Sequence, residues 1–242
     1  MIEKEFSFWL RSSNFLKITE KIFTDRDVDT AKTNESKAGL KLDHNKGLEY
    51  NLFIIKEILV DEKLFCLFEF ILRDMYKFSF QTTSIISNNS EKYTDDYKLL
   101  KNVDLLSHSF GVFNNITYIT NNSLGIIRDY IFLSALTHDF GKSKELCLFY
   151  KISEEKHHKA SAKYLQTILT KKYFACHENI LNERYYNFVS NALFIHHDDI
   201  KIDSTKEKTN KSFEDLILKF LKKSDIKQRE FELRAQKRLL RG

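Results

Sequence analysis

The residues best suited to chemistry are a histidine and an aspartate side by side. In the stretch SALTHDFGKSKEL, residues 134–146, an apolar run stops at His138 and Asp139, and Gly141 and Lys142 follow. Adjacent helical residues point about 100° apart, so both side chains reach one cavity only if the helix ends there. Gly141 favours such an end. The doublet is therefore either a metal-binding pair or the point at which a core helix meets water.

Further histidines stand at or beside the ends of other predicted helices. They are His108, His157, His158, His196 and His197. One histidine on an apolar face is usually a satisfied core residue, but several together have another use. Neutral imidazole is a good ligand for first-row transition metals, and a carboxylate can bridge two such ions. The set as a whole is typical of a two-metal hydrolytic site.

The elements that must position these side chains are predicted to be helices. The 242 residues include no proline and six glycines, so helices can run uninterrupted, which predicts an all-α fold. Apolar spacing predicts a helix through Leu48, Leu52, Ile55 and Leu59, and a second one capped by Asp61. A β-hairpin through Asp61–Lys63 competes with this pair. Five further helices are predicted at 97–121, 124–140, 154–172, 180–197 and 211–239.

Polar stretches divide the chain. Residues 24–46, 82–96 and 201–211 are predicted as loops, and one or two short helices are predicted between Lys4 and Phe23. We therefore expect an N-terminal helical extension over 1–96, of unknown role, and a second domain over 97–242 that carries the histidines and aspartates.

The order and surroundings of these residues resemble the HD superfamily of metal-dependent phosphohydrolases. Its pattern is a histidine on one helix, a His-Asp doublet on the next, further histidines, and a closing aspartate on a late helix. The matching pieces are His108 in LLSHSFGV, His138-Asp139 in ALTHDFGK, His157 or His158 in EKHHKASAKYL, His196-His197 in LFIHHDD, and Asp225 in FLKKSDIKQRE. The resemblance covers about 97–240 and implies a helical bundle.

The resemblance also implies a ligand set. A first ion would be held by His108, His138, Asp139 and Asp225. Asp139 would bridge to a second ion, held further by His157, His196 and His197. His157 is preferred to His158 because the family often has a small residue four positions after the ligand and then alanine, which Ser161 and Ala162 match. Asp198 is an alternative outer-sphere partner.

The number of ions follows from the consecutive histidines. In CRISPR-associated HD nucleases both members of such a pair act as ligands, so two divalent ions are expected, chosen among Mn, Fe, Co, Ni and Mg. The implied reaction is phosphodiester hydrolysis by a metal-activated water, with Asp139 and Lys142 in catalytic roles. Lys142 and Arg229 would contact the substrate phosphate. A surface ion pair of Arg229 with Glu230 or Glu232 is the alternative for that arginine.

The substrate class is argued from charge. The chain carries a net charge of +5, and residues 219–242 hold nine Lys or Arg against three acids. A basic helix that also carries Asp225 favours single-stranded nucleic acid as substrate, although such runs are often only solvated faces. A small nucleotide and a non-enzymatic helical binding module with a vestigial site are the alternatives. The long chain before His108 is more like the HD relaxase-type proteins of conjugative elements.

Other features bound the class of protein. With 42% hydrophobic and 30% charged residues and no long apolar run, no membrane span is expected, and we expect a cytoplasmic location. Cys66, Cys147 and Cys176 are widely spaced and expected to be buried free thiols. His44 and His177 fall outside the pattern and are predicted not to be ligands.

Overall fold

The structure, a computed structural model, describes residues 36–78, 83–84, 98–120, 124–154, 156–169, 183–197 and 213–240. Contacts divide the chain into two compact units, Met1–Gly47 and Leu48–Gly242. All the side-chain contacts described below lie within the second unit. The predicted domain start near residue 97 stays a prediction, while residues 48–78 share a compact unit with the histidines.

The described residues form eight α-helices and no strand, which confirms the all-α prediction. In chain order the helices are α1 Ser36–Ile58, α2 Phe65–Lys77, α3 Leu105–Ile119, α4 Ile126–Thr137, α5 Lys144–Phe149, α6 His157–Ile168, α7 Glu183–Phe194 and α8 Phe213–Leu239. Three short 3₁₀ turns lie at Glu62–Leu64, Leu100–Asn102 and Phe140–Lys142. No helix in the described part is both long and apolar enough to cross a membrane.

Before residue 97 one local prediction is wrong, and between the two alternatives at Asp61–Lys63 the structure has the pair of helices. The loop predicted over 24–46 is helical from Ser36 onward, so His44 lies in α1. The segment has weak apolar periodicity but is rich in helix-forming Lys, Ala and Leu, and extending an existing helix needs no new nucleus. The hairpin at Asp61–Lys63 is absent: Asp61 instead caps the 3₁₀ turn between α1 and α2, accepting the N–H of Lys63 at 3.0 Å. Residues 4–23, Cys176, His177 and Asp198 lie outside the described residues.

Helix α4 is the central element of the second unit. All ten residues from Arg128 to Thr137 are buried, and α4 packs against α3, α7 and α8. Two of its hydroxyl groups are satisfied within the helix: Ser134 donates to the carbonyl of Ile131 at 2.7 Å and Thr137 to that of Leu133 at 2.8 Å. A helix buried all round can be this short because its neighbours supply the stability that its length does not.

The start of α4 also fixes the turn between α1 and α2. Asp129 Oδ2 accepts the N–H groups of Val60 at 2.9 Å and Asp61 at 2.8 Å, and Arg128 donates to the carbonyl of Ile58. Burial raises the pKa of Asp129 to about 6, and the two backbone hydrogen bonds oppose that rise. The turn is thus attached to the central helix through buried hydrogen bonds.

A buried carboxylate joins α2 to the helices that follow α4. Asp74 Oδ2 accepts the hydroxyl of Tyr150 at 2.5 Å and that of Tyr164 at 2.8 Å. Burial raises the pKa of Asp74, although both hydroxyls and Lys77 favour its ionised form. Tyr164 is on α6, so this contact secures α6 against the layer formed by α2.

We predict that Asp74→Ala lowers the free energy of unfolding by roughly 2 to 4 kcal/mol, since each buried hydroxyl that loses its acceptor costs about 1 to 3 kcal/mol. Urea denaturation measures the change. Arg73→Ala is the matched control, because that neighbouring side chain is exposed and pairs only across one turn with Glu69. Equal stability of the two variants would show that the Asp74 contact is not needed.

Candidate metal centre

The His-Asp doublet lies where α4 ends. Helical backbone angles continue through His138, but Asp139 leaves the helix with φ −111° and ψ 8°, and the 3₁₀ turn Phe140–Lys142 follows. Both side chains are buried, His138 at 0% and Asp139 at 1% exposure. The doublet is therefore not a helix end that meets water: it places two polar side chains in the interior.

Gly141 seats this turn against the start of α6. A Cβ on Gly141 would lie 2.0 Å from the carbonyl oxygen of His157, so no other residue fits without displacing backbone. The Gly141 N–H donates to Ser161 Oγ at 2.9 Å, and Ser161 donates to the His157 carbonyl at 3.0 Å. The contact brings His157 Nε2 to 3.5 Å from Asp139 Oδ1. The sequence predicted Gly141 only as a helix end, and it missed this close approach.

His108 enters from the first turn of α3. Asp104 caps that helix by accepting the N–H of Ser107 at 2.7 Å, which places His108 one residue further along. His108 is fully buried, and its Nε2 lies 3.1 Å from Asp225 Oδ1 and 3.5 Å from Asp139 Oδ2. It also lies 3.3 Å from His138 Nε2. The first helix therefore delivers its histidine directly to the doublet.

The structure brings all seven predicted ligands together. Their donor atoms form three overlapping groups, within each of which the atoms lie no more than 4.8 Å apart. The groups are His108, His138 and Asp225; Asp139, His157 and His197; and His196, His197 and Asp225. Asp139 Oδ2 lies 3.3 Å from His138 Nε2, so it stands between the first two groups. His196 falls with Asp225 and not, as the resemblance implied, with Asp139.

His157 and His158 differ in their relation to these groups. His157 is half-buried and belongs to the group with Asp139, while His158 is buried and belongs to none of the three. The His157 ring centroid lies 4.8 Å from that of His197. This placement favours His157 as the ligand, and the assignment stays a prediction.

Three of the histidines, His157, His196 and His197, are neutral near pH 7. Burial lowers the pKa of His157 to about 4, against an opposing effect of Asp139. The pKa of His197 falls to about 3, first through partial desolvation and then through the neighbouring His196, whose own pKa is lowered mainly by burial. Neutral imidazole has a free lone pair, so these residues are in the state that metal binding requires.

The two aspartates are ionised. Burial by itself would raise the pKa of Asp139, but Lys142 and His138 outweigh it and hold that pKa well below its usual range. In Asp225 the same burial is outweighed by the nearby His108 and His196, whose Nε2 atoms lie 3.1 and 3.4 Å from its carboxylate oxygens, and its pKa is held well below the usual range. Burial would lower the pKa of His108, but the adjacent Asp225 and Glu232 carboxylates raise it.

Several of these atoms lack the hydrogen bonds that buried polar groups normally make. Within the described residues, Asp139 Oδ1, His157 Nε2 and His196 Nε2 are buried without one. His138 Nδ1 lies 2.8 Å from the Ala135 carbonyl, which accepts a proton there and leaves Nε2 facing His108 Nε2 as an acceptor. Two ring nitrogens that face each other at 3.3 Å can have at most one proton between them. Nitrogen and oxygen donors left in this state fit a divalent cation.

Two cations and one unpredicted serine complete the surroundings of Asp139. Lys142 Nζ lies 2.5 Å from Asp139 Oδ2 and donates to the Ser84 carbonyl at 2.8 Å. Arg229 donates to the same carbonyl at 3.0 Å and to Ser84 Oγ at 2.7 Å, and its Nη2 lies 3.6 Å from Asp139 Oδ2. Ser84 is fully buried. It lies in a polar stretch without periodicity, so no sequence signal pointed to it.

Arg229 also forms an ion pair, but not one on the surface. Its Nη1 lies 3.1 Å from Glu232 Oε2, and Glu232 is only 5% exposed. Glu232 in turn accepts His108 Nδ1 at 2.8 Å. Asp225, Arg229 and Glu232 follow helical spacing on one face of α8, a signal that could have placed Glu232 at the site.

No protein-family model, curated protein or solved structure matches this chain. The helical fold and its His/Asp groups are compatible with an HD domain. Membership of the HD superfamily stays a resemblance, carried by the motifs and by the meeting of their side chains.

We predict that Gly141→Ala lowers the free energy of unfolding by about 1 to 3 kcal/mol, the usual cost of overpacking, because the added methyl group meets the His157 backbone. Guanidinium denaturation of the metal-free protein is the measurement. Lys144→Ala, an exposed change two residues after Lys142, should alter stability by less than about 0.5 kcal/mol. If the two variants match, the close approach does not constrain the turn.

The lowered pKa of His157 predicts a pH dependence of stability. A histidine whose folded pKa is about 4 and whose unfolded pKa is about 6.5 stabilises the fold fully only above pH 6.5. That contribution is lost as the pH falls from about 6.5 toward 4. In chelator, the free energy of unfolding of His157→Gln should therefore fall less steeply over this range than that of the unsubstituted protein. Parallel curves would contradict the lowered pKa.

Proposed function

We propose that this protein is a metal-dependent phosphohydrolase of the HD type, which hydrolyses phosphodiester bonds, with single-stranded nucleic acid as the first candidate substrate. One observation carries the proposal: seven His and Asp side chains from five helical segments converge in three overlapping groups of donor atoms. A structural core has no use for so many ionised or lone-pair-bearing atoms in contact, because burying them without partners is costly.

The proposal has two ions. His108, His138 and Asp225 would hold one and Asp139, His157 and His197 the other, while His196 falls in a third group with His197 and Asp225. The excess of imidazole over carboxylate favours Mn, Fe, Co or Ni over Mg. When bound, such ions activate water and neutralise charge on phosphoryl oxygens.

The two neighbouring cations are proposed to have different tasks. The Lys142 side chain is 8% exposed and bonded to Asp139 and Ser84, so it orients Asp139 Oδ2 and balances its charge. Arg229 is 23% exposed and reaches the same region from α8. Guanidinium binds phosphate oxygens through a planar fork of donors. Arg229 is therefore the better candidate for the substrate phosphate because it is the more exposed of the two, while Lys142 uses two of its three N–H donors for Asp139 and Ser84.

The position of the basic residues on α8 favours a second candidate substrate, a small nucleotide. The exposed cations are Lys219, Lys223, Lys227, Arg234 and Arg238. At about 100° per residue they share one face, turned roughly 180° from Asp225. Lys222 and Arg229, three residues before and four after Asp225, share its side. A single strand held at Asp225 would have to pass around α8 to reach the exposed stripe.

Metal uptake and turnover test the proposal together. We predict that purified protein binds Mn²⁺ or Co²⁺. The metal-loaded protein should hydrolyse at least one substrate in a panel of single-stranded DNA, RNA, nucleotides and cyclic dinucleotides. Asp139→Ala and the isosteric Asp139→Asn should abolish turnover, because each removes the negative charge of the carboxylate that belongs to the group with His157 and His197 and lies 3.3 Å from His138 Nε2. Circular dichroism should show both variants folded.

The matched control is Glu145→Ala, an exposed carboxylate on α5. It should retain full turnover. Equal activity in Asp139→Ala and the unsubstituted protein would assign the cleavage to a contaminant, and failure to take up any transition metal would overturn the proposal. Cleavage of nucleotides but not of strands would select the second candidate.

A further inference from the structure

We propose that Glu232 is a positioning residue for His108: its buried carboxylate keeps the imidazole proton on Nδ1, so that Nε2 is presented as a metal ligand. The inference rests on the proposed metal centre and extends it to a residue outside the HD motif. It concerns how tightly the ion is held and not which ion or substrate is used.

Glu232 is built into the interior of α8. Its Oε1 lies 2.8 Å from His108 Nδ1 and accepts Gln228 Nε2 at 3.0 Å, while Oε2 accepts Arg229 Nη1 at 3.1 Å. Both of its oxygens accept N–H groups from α8, one of them from the charged Arg229, which is the bonding pattern of a carboxylate that carries no proton. Such a carboxylate can only accept, so the proton between Glu232 and His108 lies on Nδ1.

The neighbours of Glu232 fix its orientation. Asn115 Nδ2 donates to Gln228 Oε1 at 3.1 Å, which leaves the Gln228 amide nitrogen to face Glu232. Gly111 makes room for that amide, since a Cβ at Gly111 would lie 2.1 Å from Gln228 Cδ. A hydrogen-bonded chain with a single direction therefore runs from Asn115 through Gln228 to Glu232, and His108 joins it from the other side.

The consequence lies at the opposite ring nitrogen. With its proton on Nδ1, neutral His108 directs the Nε2 lone pair at the space shared with Asp225 Oδ1 and His138 Nε2, 3.1 and 3.3 Å away. His138 is held in the same tautomer, but by the neutral Ala135 carbonyl. A carboxylate makes the attached imidazole a stronger donor than a carbonyl does. Glu232 thus makes His108 the stronger of the two ligands.

Calorimetric titration with Mn²⁺ measures this effect. Glu232→Ala should weaken Mn²⁺ binding about 10- to 100-fold, the usual effect of losing the partner of a ligating histidine. Glu232→Gln keeps a neutral acceptor for Nδ1–H, so its affinity for Mn²⁺ should lie between those of Glu232→Ala and the unsubstituted protein. Glu230→Ala, an exposed carboxylate two residues away on α8, is the matched control and should bind Mn²⁺ like the unsubstituted protein.

The tautomer of His108 is a second measurement, which would stay unchanged in the variants if Glu232 had a purely structural role. Nitrogen-15 NMR of the His108 ring, in chelator and at alkaline pH where imidazole is neutral, should show the proton on Nδ1 in the unsubstituted protein. In Glu232→Ala the ring should move toward the Nε2–H form. Glu232→Gln should keep the Nδ1 proton.

The outcomes separate this inference from the proposed function. No Mn²⁺ binding by the unsubstituted protein overturns the metal centre itself. Mn²⁺ binding of unchanged strength in Glu232→Ala, or an unchanged tautomer, overturns the role of Glu232 and leaves the metal centre standing. If Glu232→Ala does not fold, Glu232→Gln decides: affinity equal to that of the unsubstituted protein rejects the inference.

Discussion

The structure depends on an ionised carboxylate held almost out of reach of water. Asp139 is 1% exposed, and burying such a charge costs several kcal/mol unless cations and hydrogen-bond donors surround it. Lys142 at 2.5 Å and Arg229 at 3.6 Å supply positive charge, and both are held by Ser84. The same negative charge is what a divalent ion would use. The surroundings that make the buried carboxylate tolerable also keep it in the state needed for coordination.

The fold can be understood as the means of bringing side chains to Asp139 from several directions. Helix α4 carries it, the first turns of α3 and α6 supply His108 and His157, and the end of α7 and the middle of α8 supply the remaining ligands. Close approaches make this possible at two glycines: Gly141 meets the backbone of His157, and Gly111 meets the amide of Gln228. At Gly141 a methyl group would displace the backbone of α6, and at Gly111 it would displace the amide of Gln228.

Much of this was predictable from the sequence because helix formation is local. Apolar spacing and the absence of proline located five of the six described helices from 97 onward and missed the short α5, and the motif order indicated residues that the structure does bring together. Glu232 and Ser84 were harder for different reasons. Glu232 lies on the same helical face as Asp225 and was recoverable from spacing, whereas Ser84 acts through its backbone carbonyl and its hydroxyl, in contacts with residues 58 and 145 positions away. Backbone atoms have no signature in a residue pattern.

The basic C-terminal residues are a second case in which the sequence alone does not predict the geometry of the site. Residues 219–242 are strongly basic, and Asp225 lies among them, so the sequence alone places positive charge beside the site. The helical period then separates the two, because the exposed Lys and Arg residues lie on the far face of α8 and only Lys222 and Arg229 share the face of Asp225. Under the proposed function, phosphate recognition would therefore depend on a few oriented cations, above all Arg229. The exposed Lys and Arg residues of α8 form a surface separate from the candidate metal centre.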